Sequence, residues 1–286
     1  MAVWRSIPKR WIALGLLICV LFCSVCVLCA RGDWLFYIAE ICRIYPDVAL
    51  TAVETVGTEW RLSDLMQAPN VSVANTLMLV NSTHPLPEDY EAVIEDYNDA
   101  EMHPLMIDAY VALRDTVEKN TGVRLRVSDD YRTKEEQSAI LAEKGGDIAA
   151  AVGCSEHEAG LALDVYVKGY GGLAFLHSYA GREVNRICGD YGYIIRYPLF
   201  DEDITGITFE PWHLRYVGLP HSAIIENAGL TLEEYIAVLT PDVWFAHEEY
   251  RILRTASETV TLPDGWQSCH VSEDNTGHWI ITLKMS

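Results

Sequence analysis

The sequence predicts an α+β domain held outside a membrane by one N-terminal helix. Three observations lead there. Residues 11–30 (WIALGLLICVLFCSVCVLCA) form 20 consecutive uncharged, mostly apolar positions. The chain beyond them mixes helical and strand periodicities without regular βαβ alternation, which points to segregated elements. From about Tyr250 the pattern turns to short β runs, YRILRT, ETVTL and HWIITLKM.

At about 1.5 Å per residue the apolar run spans about 30 Å, the thickness of a bilayer's hydrocarbon core. Arg5, Lys9 and Arg10 precede it, and Arg31 is soon followed by Asp33. The positive-inside rule then leaves residues 1–10 as a cytoplasmic tail and the bulk outside. A cleaved signal peptide is the competing reading. The run is longer than a usual signal core, and Leu28-Cys29-Ala30 lacks a small residue at its first position. The remainder divides into a stalk (31–75), a main domain (76–240) and a small β appendage (241–286).

Composition narrows the function. With 50% apolar residues the chain can build a packed core. Its 41 acidic side chains against 21 basic ones give a net charge of -20. A nucleic-acid binder would need a basic footprint, so that class is excluded. Four of the 8 cysteines lie inside the apolar run. The others, Cys42, Cys154, Cys188 and Cys269, are widely spaced, so no zinc ribbon is formed. One or two disulfides remain open to them.

Element by element, Trp34–Ile44 reads as a short helix and Thr76–Val80 (TLMLV) as a strand. Pro85 and Pro87 force an extended loop. Leu105, Ile107, Ala109, Tyr110, Leu113 and Val117 recur at helical spacing up to Gly122. Val123–Val127 reads as a strand, Thr133–Lys144 as a helix and Leu161–Val167 as a buried strand. Leu173–Tyr191 reads as one helix and Tyr193–Arg196 as a strand. Ile207–Val217 is strand-like but interrupted by Pro211. Leu232–Leu239 is a helix capped by Thr231, and Pro263-Asp264-Gly265 is a turn.

One constellation carries chemistry. His157, Asp164 and His213 offer two imidazoles and a carboxylate, a set that suits zinc with one position left for water. Asp164 stands inside the apolar run LALDVYV, where an isolated carboxylate is costly to bury without a cation or strong hydrogen bonds. An aspartate hydrogen-bonded in the core, or paired with an arginine, is the alternative. Glu210 and His213 are three apart, and a regular strand would point them to opposite faces. A bulge at Pro211 would bring both to one side. Glu210 could then serve as a base toward a metal-activated water, or else pair with Arg215 on the surface. Arg132 could bind a carboxylate or an oxyanion, or be a solvated arginine. HExxH, GxSxG, SxxK and Walker motifs are all absent.

Five segments together resemble the VanY family of zinc D,D-carboxypeptidases: NSTHPLPEDY (81–90), DYRTKEEQ (130–137), GCSEHEAGLALDV (153–165), YGYIIRYP (191–198) and ITGITFEPWHLRYVG (204–218). They fall in the family's order across half the chain. The resemblance implies the small α+β fold shared with Hedgehog-like and D,D-peptidases, built on a central antiparallel sheet. It implies Zn2+ held by His157, Asp164 and His213, with Glu210 as catalytic base. It implies substrate contacts from Arg132, Gln137 and Ser155, and as partners peptidoglycan stem peptides ending in D-Ala. One departure stands out: Asp129-Asp130 replaces the usual Ser-Gly before Tyr131-Arg132. The extra charge would either repel an acidic peptide end or hold Arg132 in place. The expected protein is a single-pass membrane enzyme with an extracytoplasmic zinc carboxypeptidase domain. L,D-carboxypeptidase or endopeptidase action on the same stems, or a non-catalytic wall-binding module, are the alternatives.

Overall fold

The computed structural model describes residues 33–98, 100–145 and 149–286. The expected span at 11–30 lies outside these. Among the described residues, no helix is long and apolar enough to cross a membrane.

Helix α1 (Asp33–Cys42) is followed by strands β1 (Thr51–Val53) and β2 (Gly57–Arg61), the single turn α2 (Leu62–Leu65) and strand β3 (Val71–Val73). A hairpin of β4 (Glu95–Tyr97) and β5 (Ala100–Met102) leads into α3 (Pro104–Thr121). The start of α3 follows from its sequence. The His103 ring accepts the Leu105 N–H, Pro104 needs no donor partner in the first turn, and Gly122 ends the helix in the left-handed region. Strand β6 (Arg126–Asp129) comes next, then α4 (Lys134–Lys144), which opens on a capping box of Thr133 and Glu136. Strand β7 (Ala162–Tyr166) follows. The single helix expected over 173–191 is broken: the Ser178 hydroxyl caps the Gly181 N–H. A 3-10 turn (Gly172–His177), α5 (Tyr179–Ile187) and a second 3-10 turn (Cys188–Tyr191) result. Then come β8 (Tyr193–Ile195), α6 (Glu202–Thr205), β9 (His213–Tyr216), α7 (His221–Ala228) and α8 (Leu232–Val238). The last strands are β10 (Trp244–His247), β11 (Tyr250–Thr255), β12 (Thr259–Pro263), β13 (Trp266–Glu273) and β14 (Trp279–Met285).

A four-stranded antiparallel sheet of order β6-β7-β9-β8 lies at the centre. One face is apolar: Leu163, Val165 and Leu214 pack against the helical stripe Met106, Tyr110, Leu113 and Val117 of α3 and against Val184 and Ile187 of α5. The other face carries the polar cluster described below.

The second sheet has six strands. Its order is β1-β10-β11-β14-β13-β3, so both chain ends build it. β1 adds antiparallel to β10, β3 adds parallel to β13, and β2 pairs with β12. Residues 51–73 are therefore woven into the fold through these strands. Residues 241–286 are β-rich, as expected, and alternate residues of their strands are buried on opposite faces. Leu253 and Ile281 pack with Leu62, Leu65 and Leu262. Ile252 and Ile280 pack with Ile224, Leu232 and Tyr235 of α7 and α8. That second contact joins the sheet to the main domain.

Three local expectations also change. Thr76–Val80 is buried but not a strand; three of its carbonyls accept from side chains, with Arg215 donating to Thr76 and Met78 and Asn275 to Leu79. The strand expected at 123–127 lies two to three residues further on. Of Ile207–Val217 only His213–Tyr216 is strand. Cys42, Cys154, Cys188 and Cys269 are all free thiols.

Candidate metal centre and active site

Strand register creates the centre. Asp164 is paired directly with His213 across β7 and β9, and with Asp129 across β6 and β7. Side chains directly opposite in an antiparallel pair share a face at about 5 Å. Asp129, Asp164 and His213 therefore form one row on the polar face. His157 arrives from the loop before β7. That loop is pinned by the Leu86 N–H on the Gly153 carbonyl, the Gly153 N–H on Glu158 and the Arg132 N–H on the His157 carbonyl. Gly160 closes it at φ 69°, a left-handed conformation that glycine adopts without strain.

The hydrogen bonds fix which ring nitrogen faces the centre. His157 Nδ1 lies 2.6 Å from the Asp130 carbonyl, which can only accept, so Nδ1 carries the proton and Nε2 is free to ligate. His157 Nε2 is 3.5 Å from Asp164 Oδ1, and His213 Nδ1 is 3.0 Å from the same oxygen. On its other side His213 Nε2 meets Glu156 Oε2 at 3.4 Å. The ligand atoms of His157, Asp164 and His213 all lie within 4.8 Å of one another. Zinc bonds of about 2.1 Å in tetrahedral array separate ligand atoms by about 3.4 Å, so this donor set fits zinc in both chemistry and spacing.

Electrostatics favour a cation there. Burial alone would raise the Asp164 carboxyl, but the His157 and His213 rings beside it hold it well below the usual range. Burial alone would lower His213; hydrogen bonds to Asp164 and Glu156 outweigh it and raise the ring to about 9. Glu156 is fully buried and stays ionised because Arg215 and Arg196 overcome its desolvation. Its Oε1 accepts from Arg196 Nε at 2.7 Å and from Arg215 Nη1 at 2.6 Å. Arg196 is paired in turn with Glu233.

Glu210 reaches the site by a turn, which corrects the expected bulge. The His213 N–H donates to the Glu210 carbonyl at 3.1 Å, closing a turn over Pro211 and Trp212, so Glu210 stands outside the strand. Its Oε2 is 4.0 Å from His213 Nδ1. Arg215, the expected alternative partner of Glu210, is buried against Glu156 instead. Arg132 donates Nε and Nη2 to the two oxygens of Asp129 and Nη1 to Gln137 Oε1. Gln137 is itself fixed by donating to the Ala150 carbonyl at 2.8 Å. Of the two roles expected for the acidic pair, Asp129 thus takes the second and holds Arg132.

All seven residues singled out from the sequence, Arg132, Gln137, Ser155, His157, Asp164, Glu210 and His213, line one cavity of about 260 Å³. A neighbouring cavity of about 410 Å³ shares Tyr197, Ile207 and Glu210 with it and extends toward Asn81 and Cys154. A larger cavity of about 650 Å³ beside Trp244 and Val260 lies in the six-stranded region, away from the histidines. Sequence reasoning missed Glu156 and Arg196. A signal for both was present, since Arg196 follows the apolar strand Tyr193–Ile195 and Arg215 stands in β9, where a buried guanidinium needs a carboxylate.

Comparison with known proteins agrees with this geometry. Residues 99–219 match the VanY family, D-alanyl-D-alanine carboxypeptidase. A D-alanyl-D-alanine carboxypeptidase of Enterococcus faecium is 31% identical over 255 residues, covering 81% of this chain and 82% of its own length. The chain belongs to the VanY D-alanyl-D-alanine carboxypeptidase family. Among solved structures, the vancomycin-resistance D,D-dipeptidase VanXYg with a D-Ala-D-Ala phosphinate analogue superposes with a TM-score of 0.64 at 25% identity, covering 81% of this chain and 100% of that one. A mutant of the D,D-pentapeptidase VanY in complex with Zn(II) gives a TM-score of 0.51 at 32% identity, covering 56% of this chain and 98% of that one. The broader matches extend beyond residues 99–219, so this VanY member shares more than the catalytic segment with its relatives.

Proposed function

We infer that the protein is a zinc metallocarboxypeptidase that removes the terminal D-Ala from peptidoglycan stem peptides. The observation that carries this reading is the convergence of His157 Nε2, Asp164 and His213 Nδ1 beside a carboxylate, Glu210, and a held guanidinium, Arg132. Zinc, held by His157, Asp164 and His213, would polarise the scissile carbonyl and acidify a water. Glu210 would take the proton of the attacking water and return it to the departing amine. Arg132 has five N–H donors, three of them engaged by Asp129 and Gln137. The two left over are aimed by that clamp and would meet the negative charge of the peptide end or of the tetrahedral oxyanion. Ser155 and Gln137 would shape the walls around the peptide. Residues 11–30 support a single-pass anchor that leaves the catalytic domain outside the cytoplasm.

Incubating the protein with defined pentapeptide and tetrapeptide stems and weighing the products tests this. Loss of one D-Ala from the pentapeptide alone is expected. Cleavage of the tetrapeptide alone would replace the reading with an L,D-carboxypeptidase, and no cleavage of either would remove it. Because no serine is acylated, β-lactams should leave turnover unchanged while a zinc chelator abolishes it.

A further inference from the structure

Helix α1 leaves an apolar face on the protein surface. A surface helix normally turns its apolar stripe inward and its charges to water. Here Asp33, Phe36, Tyr37 and Glu40 face the domain. Asp33 pairs with His177 at 2.9 Å, the Phe36 ring stacks on Phe209 at 6.1 Å, and Glu40 accepts from Arg43 and Tyr45. Arg43 also donates to the Glu226 carbonyl, tying the segment to α7. The outward arc is Leu35, Ile38, Ala39, Ile41 and Cys42, with no charge among them. Leu35 is 57% exposed, Ile38 48% and Ile41 65%, and Ile44 just beyond the helix is 93% exposed. An unbroken apolar face of this kind needs an occupant.

The sequence names the occupant. The uncharged run ends at Ala30, and α1 begins at Asp33. Three Cα steps of about 3.8 Å separate them, so the start of α1 stands within about 11 Å of the end of that run. We propose that the outward face of α1 lies in the interfacial layer of the membrane and fixes the catalytic domain against the bilayer. The proposal rests on reading residues 11–30 as a membrane span. An interfacial helix buries its apolar face at the boundary of headgroups and acyl chains. The polar side that such a helix usually gives to water is here bound to the domain. The consequence is positional. Phe209 packs on the inner side of α1 and directly precedes Glu210. The turn bearing the base would thus sit about one helix diameter, about 10 Å, from the lipid boundary.

The test uses the full chain in nanodiscs of phosphatidylethanolamine and phosphatidylglycerol, with a photo-cross-linking amino acid at Val20, Ile38 or Glu118 in turn. Lipid adducts at residues 20 and 38 but not at 118 are the expected result. Adducts at 20 without any at 38 would overturn the interfacial face while leaving the anchor standing. Adducts at neither would overturn both. Cross-linking of residue 38 to a second copy of the chain would assign the face to a dimer and overturn the proposal. As a functional arm, Ile38→Asp with Ile41→Asp should keep normal turnover of a soluble pentapeptide and lose several-fold turnover of a pentapeptide tethered to the same nanodisc lipids. Equal turnover of both substrates would overturn it. Absence of soluble turnover in the unaltered protein would instead strike the carboxypeptidase reading.

Discussion

The four-stranded and six-stranded sheets of this molecule bury different things. The first gives one face to an apolar core and the other to a charged network of Glu156, Arg196, Arg215, Asp164 and the two histidines. The second packs apolar residues on both faces, with Leu253 and Ile281 on one side and Ile252 and Ile280 on the other. The charged face is the costlier construction, because every ion must be paired once it leaves water. It is also the face on which chemistry is assembled. The apolar sheet supports it at a distance. Ser272 and the Asp274 backbone hold Leu77 and Leu79, the same segment offers the Thr76 and Met78 carbonyls to Arg215, and Arg215 holds Glu156 behind His213.

Four experiments would break or sharpen that contrast. The largest effect should come from Glu210→Gln. Turnover should fall about 100- to 10,000-fold, with zinc content and Tm unchanged; near-normal turnover would remove Glu210 as base. Next, each sheet can be damaged once. Glu156→Leu leaves the Arg196 and Arg215 charges with a lost partner and should cost about 3–5 kcal/mol of stability. The milder Glu156→Gln should weaken zinc binding about 10- to 100-fold in a chelator competition. Leu283→Ala in the apolar sheet should cost a comparable 2–5 kcal/mol, roughly, yet leave kcat and zinc affinity of the folded enzyme unchanged. If the leucine variant altered zinc affinity, the two sheets would not divide the work as described.

The third experiment is a pH series on the metal-free protein. His213 is raised from its ordinary 6.5 to about 9 in the folded state. Its contribution to stability is therefore fully present below about 6.5 and lost as pH rises through about 9. Tm of the metal-free form should fall across that window. Zinc needs the neutral ring, so the Tm gain on adding zinc should grow over the same window. A zinc-induced gain that shrinks with rising pH would contradict the assignment of His213 as ligand. The smallest effect should come from Glu226→Gln, in the joint between α1 and α7. Burial raises this carboxyl from 4.5 to about 7, against the Ile195 N–H and Arg43, which lower it. A raised carboxyl stabilises below 4.5 and loses that contribution as pH rises through 7. Glu226→Gln should raise Tm modestly at pH 8 and leave it unchanged at pH 5.

Much of this protein was legible before any coordinates. The signals that could be read were local: the capping boxes at Thr133 and Thr231, the stripe of α3, Gly122 as stop, and an aspartate that breaks the apolar run of β7. Residue identity and spacing nominated His157, Asp164, His213, Glu210 and Arg132, the family resemblance added Gln137 and Ser155, and all seven share one cavity. The tertiary structure alone decided the rest, because those features depend on partners far away in sequence. Strands of three residues such as Thr51–Val53 and Val71–Val73 carry too few alternations to show a period, and they exist only because β10 and β13 offer edges nearly two hundred residues later. Glu156 reads as one more polar loop residue until β8 and β9 bring Arg196 and Arg215 to it. A turn rather than a bulge presents Glu210, since the hydrogen bond from His213 competes with the ladder, and spacing alone does not say which will win.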